Sequence, residues 1–404
     1  MKAGTRRRSL AFGVAFAAIV TVTAGCSSSG SSSAGSSTGG SAAGSGASGS
    51  FTGSPVVIGQ EVCQTGYLSA TDLYLVKGAQ IAVDQLNKAG GIMHRKVELQ
   101  SVDTQCVASN EIQLAESLIE KSHVTAIIGG YQSAAISGVL PIVKQAKIPF
   151  VAAGTLPVES PWGVTTFPPN TYPGQAFLSY VKSKLGVKSI GNISGDTPYG
   201  TALQTAVTNE ATALNVTTKN VEISNAATST TPVLQKVAGA DAIFTNTTGP
   251  INIIMAKDAA NLGLKVPLIF TDPADCPQIA AAYQPTYCEI PQAQLYPNVA
   301  NPTIKANDGA LWNVYKAAGG KMLNFPSITV GADQVQLIAK AMTKAGSTDG
   351  NAVNTALSSL EYVGAQANYK YQPGHTFGSS NPYVLVSTGN NTETVVFQPT
   401  AGAA

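Results

Sequence analysis

The chain has 404 residues, a formal net charge of +2 and 44% hydrophobic residues. This sparse, nearly balanced charge makes it a poor candidate for binding nucleic acid. Roughly 350 residues remain from Phe51 onward, which is more than one hydrophobic core usually organises, so two lobes are expected. In that part no apolar stretch approaches ~18 residues, so we expect it to be soluble.

The N-terminus has the layout of a secretory signal. A basic start at residues 2–8 precedes an apolar run at residues 10–24. At about 15 residues the run is shorter than the ~20 of a membrane-spanning helix. Its end, Thr23-Ala24-Gly25-Cys26, resembles the lipobox of bacterial lipoproteins, in which the signal is cut before a cysteine that carries a diacylglyceryl group. We predict a signal peptide over residues 1–25 and a lipid on Cys26. An ordinary signal peptide with a chance cysteine is the alternative, and the export route stays open.

A low-complexity segment follows the signal. Ser27–Ser50 contains only Ser, Gly, Ala and Thr, which cannot bury enough apolar surface to fold. We therefore predict a lipidated cysteine and a flexible linker over residues 26–52, with a reach of roughly 27 Å. Residues 1–25 carry four positive charges and no negative ones, so the chain after the signal would have a formal charge of −2.

Strand and helix patterns alternate through the rest of the chain. The first run predicts strand Val56–Gly59, helix Asp72–Ala89, strand Val97–Val102, helix Ser109–Lys121, strand Val124–Ile128, helix Ser133–Gln145 and strand Ile148–Ala152. The second predicts helix Tyr172–Leu185, strand Lys188–Ile193, helix Tyr199–Leu214, strands Val221–Ser224 and Asp241–Thr245, helix Ile251–Leu262 and strand Val266–Thr271. The tail predicts helices Ile304–Ala318, Gly331–Ala345 and Gly350–Leu360 and strands Tyr383–Ser387 and Thr394–Phe397.

This alternation predicts an α/β protein with two doubly wound parallel-sheet lobes joined by a multi-strand hinge. We place the N-terminal lobe at residues 53–170 and 300–362, and the C-terminal lobe at residues 171–299 and 363–404. If Cys26 carries lipid, four cysteines remain, and four allow three pairings. We favour Cys63–Cys106, which follow neighbouring strands, and Cys276–Cys288, which close a short loop. No C-x-x-C or histidine spacing indicates a metal or redox centre, and no cofactor is predicted.

Ligands of open α/β sheets bind beyond the carboxyl ends of strands. The loops at these ends are Glu61–Ser69, Asp103–Cys106, Gly129–Ser133, Ala153–Leu156, Gly195–Tyr199, Asn246–Pro250 and Asp272–Asp275. Several carry glycines and hydroxyls just before a helix, where backbone N–H groups hold a small anion. Taken singly, Ser133 and Thr155 also fit helix N-caps, Tyr199 a packing residue and Asp272 a turn former.

Several motifs together resemble the periplasmic branched-chain amino acid-binding proteins, the type I solute-binding components of ABC importers. The motifs are Gly78-Ala79-Gln80, the stretch from Asn87 to Leu99, Asp103-Thr104-Gln105-Cys106, Ile127-Ile128-Gly129-Gly130 leading to Ser133, Ile148-Pro149-Phe150 leading to Thr155, and Asp196-Thr197-Pro198-Tyr199-Gly200. The resemblance covers nearly all of residues 55–404 and implies the type I periplasmic binding protein fold.

The resemblance also implies a ligand site. In such proteins the residues matching Ser133 and Thr155 hold the ligand carboxylate, and the carbonyl matching Ala153 helps to hold the amino group. The tyrosine matching Tyr199 closes from the second lobe, and Asp272 is the nearest candidate for the ammonium partner. The loop containing Thr247 lines the site.

This chain departs from the family pattern at two places. Gln132 stands where the family often has a cysteine paired with the one matching Cys106, and the loop after Thr245 lacks the usual aromatic residue. Both changes put a leucine-like pocket in doubt. A more polar or aromatic ligand is favoured by four residues, namely Gln64, Tyr67, Tyr131 and Gln132.

We expect a monomeric lipoprotein on the outer side of the cell membrane that delivers a small amino acid or related carboxylate or amide to a permease. A receptor of the same fold that signals to a partner is the alternative. The histidines, His94, His123 and His375, are scattered and no nucleophile has a base beside it, so an enzyme is not predicted.

Overall fold

The computed structural model describes residues 51–154, 160–167, 172–271, 276–291, 295–322, 325–375, 378, 383–389 and 392–397. Three predicted positions, Cys26, Thr155 and Asp272, lie outside these residues. Among the described residues no helix combines the length and the apolar character needed to cross a membrane.

The chain begins with strands and helices in alternation. The elements are β1 (Val56–Val62), α1 (Ser69–Lys88), β2 (Val97–Asp103), α2 (Ala108–Glu120), β3 (Ala126–Gly129), α3 (Ser133–Ala146), β4 (Phe150–Ala152) and β5 (Val164–Thr165). These strands form one parallel sheet in the order β2-β1-β3-β4-β5. The fully apolar start of β1 and the apolar run of β3 explain why they are central strands buried on both faces.

A second alternation follows the first. Its elements are α4 (Tyr172–Leu185), β6 (Ser189–Gly195), α5 (Pro198–Ala213), β7 (Thr217–Ile223), α6 (Thr231–Val237), β8 (Ala242–Asn246), α7 (Ile251–Asn261), β9 (Leu268–Thr271), α8 (Cys276–Ala282) and β10 (Thr286–Pro291). The tail supplies α9 (Pro302–Ala317), α10 (Phe325–Ala345), α11 (Gly350–Leu357), β11 (Glu361–Val363), β12 (Asn368–Lys370), β13 (Tyr383–Gly389) and β14 (Thr392–Phe397).

The second sheet has seven described strands in the order β14-β13-β10-β9-β8-β6-β7. Strands β6 to β10 are parallel, whereas β13 and β14 add antiparallel at one edge. The chain thus passes between the sheets after β5, after β10 and after β12. We call the first sheet with α1–α3 and α9–α11 the first lobe, and the second sheet with α4–α8 the second lobe.

Helix α10 returns the tail to the first lobe. The backbones of α10 and α1 are in close contact at two glycines. A Cβ on Gly78 of α1 would collide with the carbonyl oxygen of Ile328, and a Cβ on Gly331 of α10 would collide with that of Leu75. The Gln334 amide on α10 donates to the carbonyls of Gly129 and Val151, at 2.7 and 2.9 Å. The late helix therefore fixes the carboxyl ends of β3 and β4.

The predicted fold class is confirmed, with two parallel-sheet lobes and several chain crossings. The exact lobe boundaries stay a prediction. The described contacts place residues 361–371 beside the first sheet, since β11 pairs with β12 and the Tyr371 hydroxyl donates to the Thr165 carbonyl at 2.8 Å. The sequence patterns missed β5, α6, α8 and β10–β12, whose short or mixed stretches carry little periodicity.

Candidate functional site

The cleft edge of each lobe is the set of loops at the carboxyl ends of its parallel strands. One close approach between the two edges lies at Gly249. A Cβ placed on Gly249, after β8, would lie 3.2 Å from the carbonyl oxygen of Tyr67, after β1. Helix α3 of the first lobe also approaches α5 of the second.

The start of α3 has no side-chain cap. Its N-cap, Gln132, has an extended backbone (φ −74°, ψ 99°) and makes no side-chain cap hydrogen bond, and the first turn contains no acidic residue. The first N–H groups of a helix have no partner inside it, and the helix dipole makes this end positive. Ser133 is the buried first residue of the helix rather than its N-cap, so the alternative that Ser133 caps α3 is wrong.

The neighbours of Ser133 are held by the first lobe itself. The Gln132 amide donates from Nε2 to the Cys106 carbonyl at 2.9 Å, which uses one of the two hydrogens of this nitrogen. The Tyr131 ring meets Phe167 edge to face at 5.8 Å between centroids. Buried Ala153 donates its N–H to Gly129, and its carbonyl accepts the Thr166 hydroxyl at 3.3 Å. A carbonyl has two lone pairs, so Ala153 keeps capacity for a ligand donor.

A braced loop joins β1 to α1 beside this position. Both predicted disulfides are confirmed, and one of them, Cys63–Cys106 (Cα–Cα 4.9 Å), ties this loop to the end of β2. The Asp103 carboxylate accepts the N–H groups of Gln64 and Thr65 at 2.9 and 3.1 Å and the Thr65 hydroxyl at 2.7 Å. Burial raises the pKa of Asp103, but these hydrogen bonds outweigh it and lower the pKa overall. Gln64 is therefore placed by its backbone, with a half-buried side chain.

Three carboxyl groups are buried behind the braced loop, namely Glu61, Asp72 and Glu111. Neither oxygen of Glu61 accepts a hydrogen bond within the described part of the chain, and Asp72 accepts only the Cys63 N–H, at 2.8 Å. Burial raises the pKa of all three, to about 7 for Asp72, and the carboxyls of Glu61 and Asp72 add to the rise at Glu111. Glu61 was expected in a cleft loop; it ends up inside β1 because the buried strand extends through Val62.

Tyr67 is close to these buried carboxyl groups. Burial raises the pKa of its half-buried phenol, the Gln132 side chain lowers it, and the carboxyls of Asp72, Asp196 and Glu111 raise it further. Cδ2 of the ring would lie 3.9 Å from a Cβ placed on Gly249, so the ring is next to the second lobe.

The start of α5, across the cleft, is unlike that of α3. Its N-cap Thr197 accepts the Gly200 N–H at 3.1 Å, and Pro198 occupies the first turn. The preceding Asp196 is exposed and accepts the Asn225 N–H at 3.0 Å. This helix start is already capped and carries its own negative charge. Tyr199 is half-buried beside it, which leaves its role as packing or ligand residue open.

The loop after β8 is held by a polar network. Asn246 donates to Asn192 at 2.7 Å and accepts the Thr271 hydroxyl at 3.2 Å. The buried Thr247 hydroxyl donates to Asn252 at 2.5 Å, so in the structure it fixes the start of α7. Thr247 therefore affects the cleft edge of the second lobe by holding Asn252.

The local sequence pattern does not signal some residues near the site. Buried Asn225 donates to the Thr248 hydroxyl at 3.2 Å and so links the loops after β7 and β8. Gln334 reaches the ends of β3 and β4 from a helix much later in the chain, 205 positions after Gly129 and 183 after Val151, and no local pattern signals it. Among the described residues no group of His, Cys, Asp and Glu is arranged to hold a metal ion.

Comparisons with known proteins agree with this architecture. A sequence model of the family described as periplasmic binding protein matches residues 55–390. Comparison with curated proteins finds no match.

Three solved structures illustrate the similarity in fold. A leucine binding protein, LivK, from Thermotoga maritima has 21% identity and a TM-score of 0.73, over 85% of this chain and 98% of that one. The branched-chain amino acid transporter substrate binding protein LivJ from Streptococcus pneumoniae, in complex with isoleucine, has 19% identity and a TM-score of 0.70, over 85% and 100%. An ABC transporter solute binding protein from R. palustris, in complex with 4-hydroxybenzoate, has 19% identity and a TM-score of 0.74, over 86% and 97%.

Proposed function

Because this chain belongs to the periplasmic binding protein family, we propose that it captures a small amino acid or a related carboxylate or amide between its lobes and delivers it to an ABC importer permease. The family consists of extracytoplasmic solute-binding proteins of the ABC transporter type. The ligand class, the delivery step and the lipid anchor on Cys26 are parts of the proposal.

The contrast between the two helix starts carries the proposal. Helix α3 presents uncapped N–H groups with no acidic residue in its first turn, whereas α5 is capped by Thr197 and preceded by the exposed carboxylate of Asp196. The first favours an anion, and the second favours a hydrogen-bond donor or a cation. A carboxylate that also carries a donor, such as an amino acid, satisfies both edges.

The bound solutes of two similar structures share that anion. Isoleucine and 4-hydroxybenzoate both carry a carboxylate and differ in the rest of the molecule. A common carboxylate position with a variable pocket fits the departures seen in this chain at Gln132 and after Thr245.

We assign the site residues accordingly. Ser133 and Thr155 bind the carboxylate, the Ala153 carbonyl and Asp272 bind a donor or ammonium group, and Tyr199 closes from the second lobe. Gln64, Tyr131, Gln132 and Thr247 shape the pocket, the last two through the contacts already described.

A thermal-shift screen tests the proposal. The chain from residue 51 onward is heated with amino acids, their amides and small aromatic carboxylates. A solute at a hundred times its Kd stabilises the folded state by about 2.7 kcal/mol, which raises Tm by about 2–5 °C. Native mass spectrometry of the purified protein identifies any solute it retains. No shift with any of these solutes would contradict the proposal.

A further inference from the structure

We propose that the contact between Tyr67 and Gly249 is a fixed stop that sets how far the lobes close and thereby which solute sizes are held. This inference rests on the proposed function, since closure matters only if a solute is enclosed. It assigns Tyr67 and Gly249 as positioning residues rather than as ligand contacts.

On the first lobe, both neighbours of Tyr67 are pinned. Gly66 has φ +101°, and a Cβ there would lie 3.0 Å from the Cys106 sulfur and 2.9 Å from the Gln105 carbonyl oxygen, so it packs on the Cys63–Cys106 disulfide. Leu68 is buried and donates its N–H to the same sulfur at 3.3 Å. The Tyr67 carbonyl cannot swing away without disturbing these contacts.

On the second lobe, Gly249 sits in an equally constrained loop. The Thr248 hydroxyl accepts from Asn225 at 3.2 Å, and the Gly249 carbonyl accepts the Asn252 N–H at 3.2 Å. Asn252 in turn accepts the Thr247 hydroxyl. These hydrogen bonds therefore fix the position of Gly249.

The contact itself has room for a hydrogen atom and little more. A Cβ on Gly249 would lie 3.2 Å from the Tyr67 carbonyl oxygen and 3.9 Å from Cδ2 of its ring. A Cβ at this distance needs a shift of a few tenths of an ångström, and a longer side chain needs more. Because hydrogen bonds and the disulfide hold both loops, we expect a longer side chain at position 249 to move the lobes apart. The closed form would then be less populated, and small solutes would lose contact with one lobe first.

The chain offers a matched control at the other end of α7. Gly263 also has a positive φ, +67° against +76° for Gly249, but nothing lies within 4 Å of a Cβ placed there. Asparagine tolerates positive φ better than other non-glycine residues, so G249N and G263N carry similar backbone strain. The two variants differ in the contact with Tyr67.

The experiment compares wild type, G249N and G263N by calorimetry and small-angle X-ray scattering. The probes are glycine, L-alanine, L-leucine, L-phenylalanine, benzoate and 4-hydroxybenzoate. G249N should have a larger radius of gyration and bind the smallest solute accepted by the wild type about tenfold more weakly, because affinity scales with the closed fraction. The largest accepted solute should lose less. The Tm values of the two variants should agree within about 2 °C, as expected for equal strain.

The outcomes separate the two claims. Equal scattering and equal affinities in G249N and G263N overturn the stop and leave the proposed function standing. A uniform loss of affinity for all solutes, with no change in size preference, also overturns it. If the wild type binds none of the six probes while G249N remains more open than G263N, the proposed function fails and the stop is supported.

Discussion

Behind the cleft edge of the first lobe lie Glu61, Asp72 and Glu111, buried and without a salt bridge to any described lysine or arginine. Behind that of the second lobe, Asn246 hydrogen-bonds to both Asn192 and Thr271. Burial disfavours the ionised form of a carboxyl group. Burying amides that hydrogen-bond to each other costs little free energy. The difference indicates that, of these two buried groups, only the carboxyls of the first lobe make stability fall as pH rises.

Each lobe contains one disulfide, and removing them should give the largest changes in the free energy of unfolding among the substitutions proposed here. Cys63–Cys106 closes 43 residues of chain and Cys276–Cys288 closes 12. Replacing both cysteines of a pair by alanine should lower the free energy of unfolding by about 4 kcal/mol for the first and about 3 kcal/mol for the second, measured by urea denaturation.

Solute affinity should distinguish the two pairs more clearly than stability does. The Cys106 carbonyl holds Gln132 at the start of α3, whereas Cys276 and Cys288 are buried in the core of the second lobe. C63A/C106A should therefore weaken solute binding, and C276A/C288A should leave it unchanged. Equal losses of affinity in both variants would remove the special role of the first disulfide.

Two aspartates provide opposite pH responses. The pKa of Asp72 is raised to about 7 by burial, so the native state holds a proton that the unfolded state releases near pH 4. The stability of the wild type should fall from about pH 4 to about pH 7, and D72N should abolish this part of the fall. At pH 8, D72N should be more stable than the wild type by about 2–4 kcal/mol, and at pH 4 by little.

Asp258 in the second lobe should behave in the opposite way. Hydrogen bonds from Ser229, Thr230 and Thr231 outweigh burial and lower its pKa, so its contribution is present above about pH 4 and disappears as pH falls through the lowered value. D258N should cost about 1 kcal/mol at pH 7, since the group is partly exposed, and progressively less as the pH falls through the lowered pKa. If the stability changes caused by D72N and D258N depended on pH in the same way, the predicted difference between the two aspartates would be wrong.

Much of the architecture follows from local patterns. The Gly129-Gly130 stop after an apolar strand placed the start of α3 at Ser133, which is where the structure has it. Helix α10 begins at Phe325 rather than at the predicted Gly331 because buried residues continue through its first turn. The edge strands β11 and β12 are three residues each and leave no readable period.

The site was harder to predict than the fold. Spacing indicates which residues follow a strand, and this located Ser133, Ala153 and Tyr199 at the cleft edges. It does not indicate that Gln132 turns to Cys106, that Thr247 turns to Asn252, or that Glu61 is buried, because these depend on packing between distant segments. The contact of Tyr67 with Gly249 depends on how the lobes approach, which no local pattern contains.

The most direct test of the account compares two serines of α3 by isothermal titration calorimetry. The titrant is the tightest-binding solute of the screen. Ser133 stands at the open helix start, and the Ser137 hydroxyl one turn later donates to the Ser133 carbonyl at 2.9 Å. S133A should weaken binding by about tenfold or more, the cost of a hydrogen bond to a charged group, and S137A should change it by less than about twofold. Wild-type affinity in S133A would contradict the claim that the start of α3 holds the carboxylate.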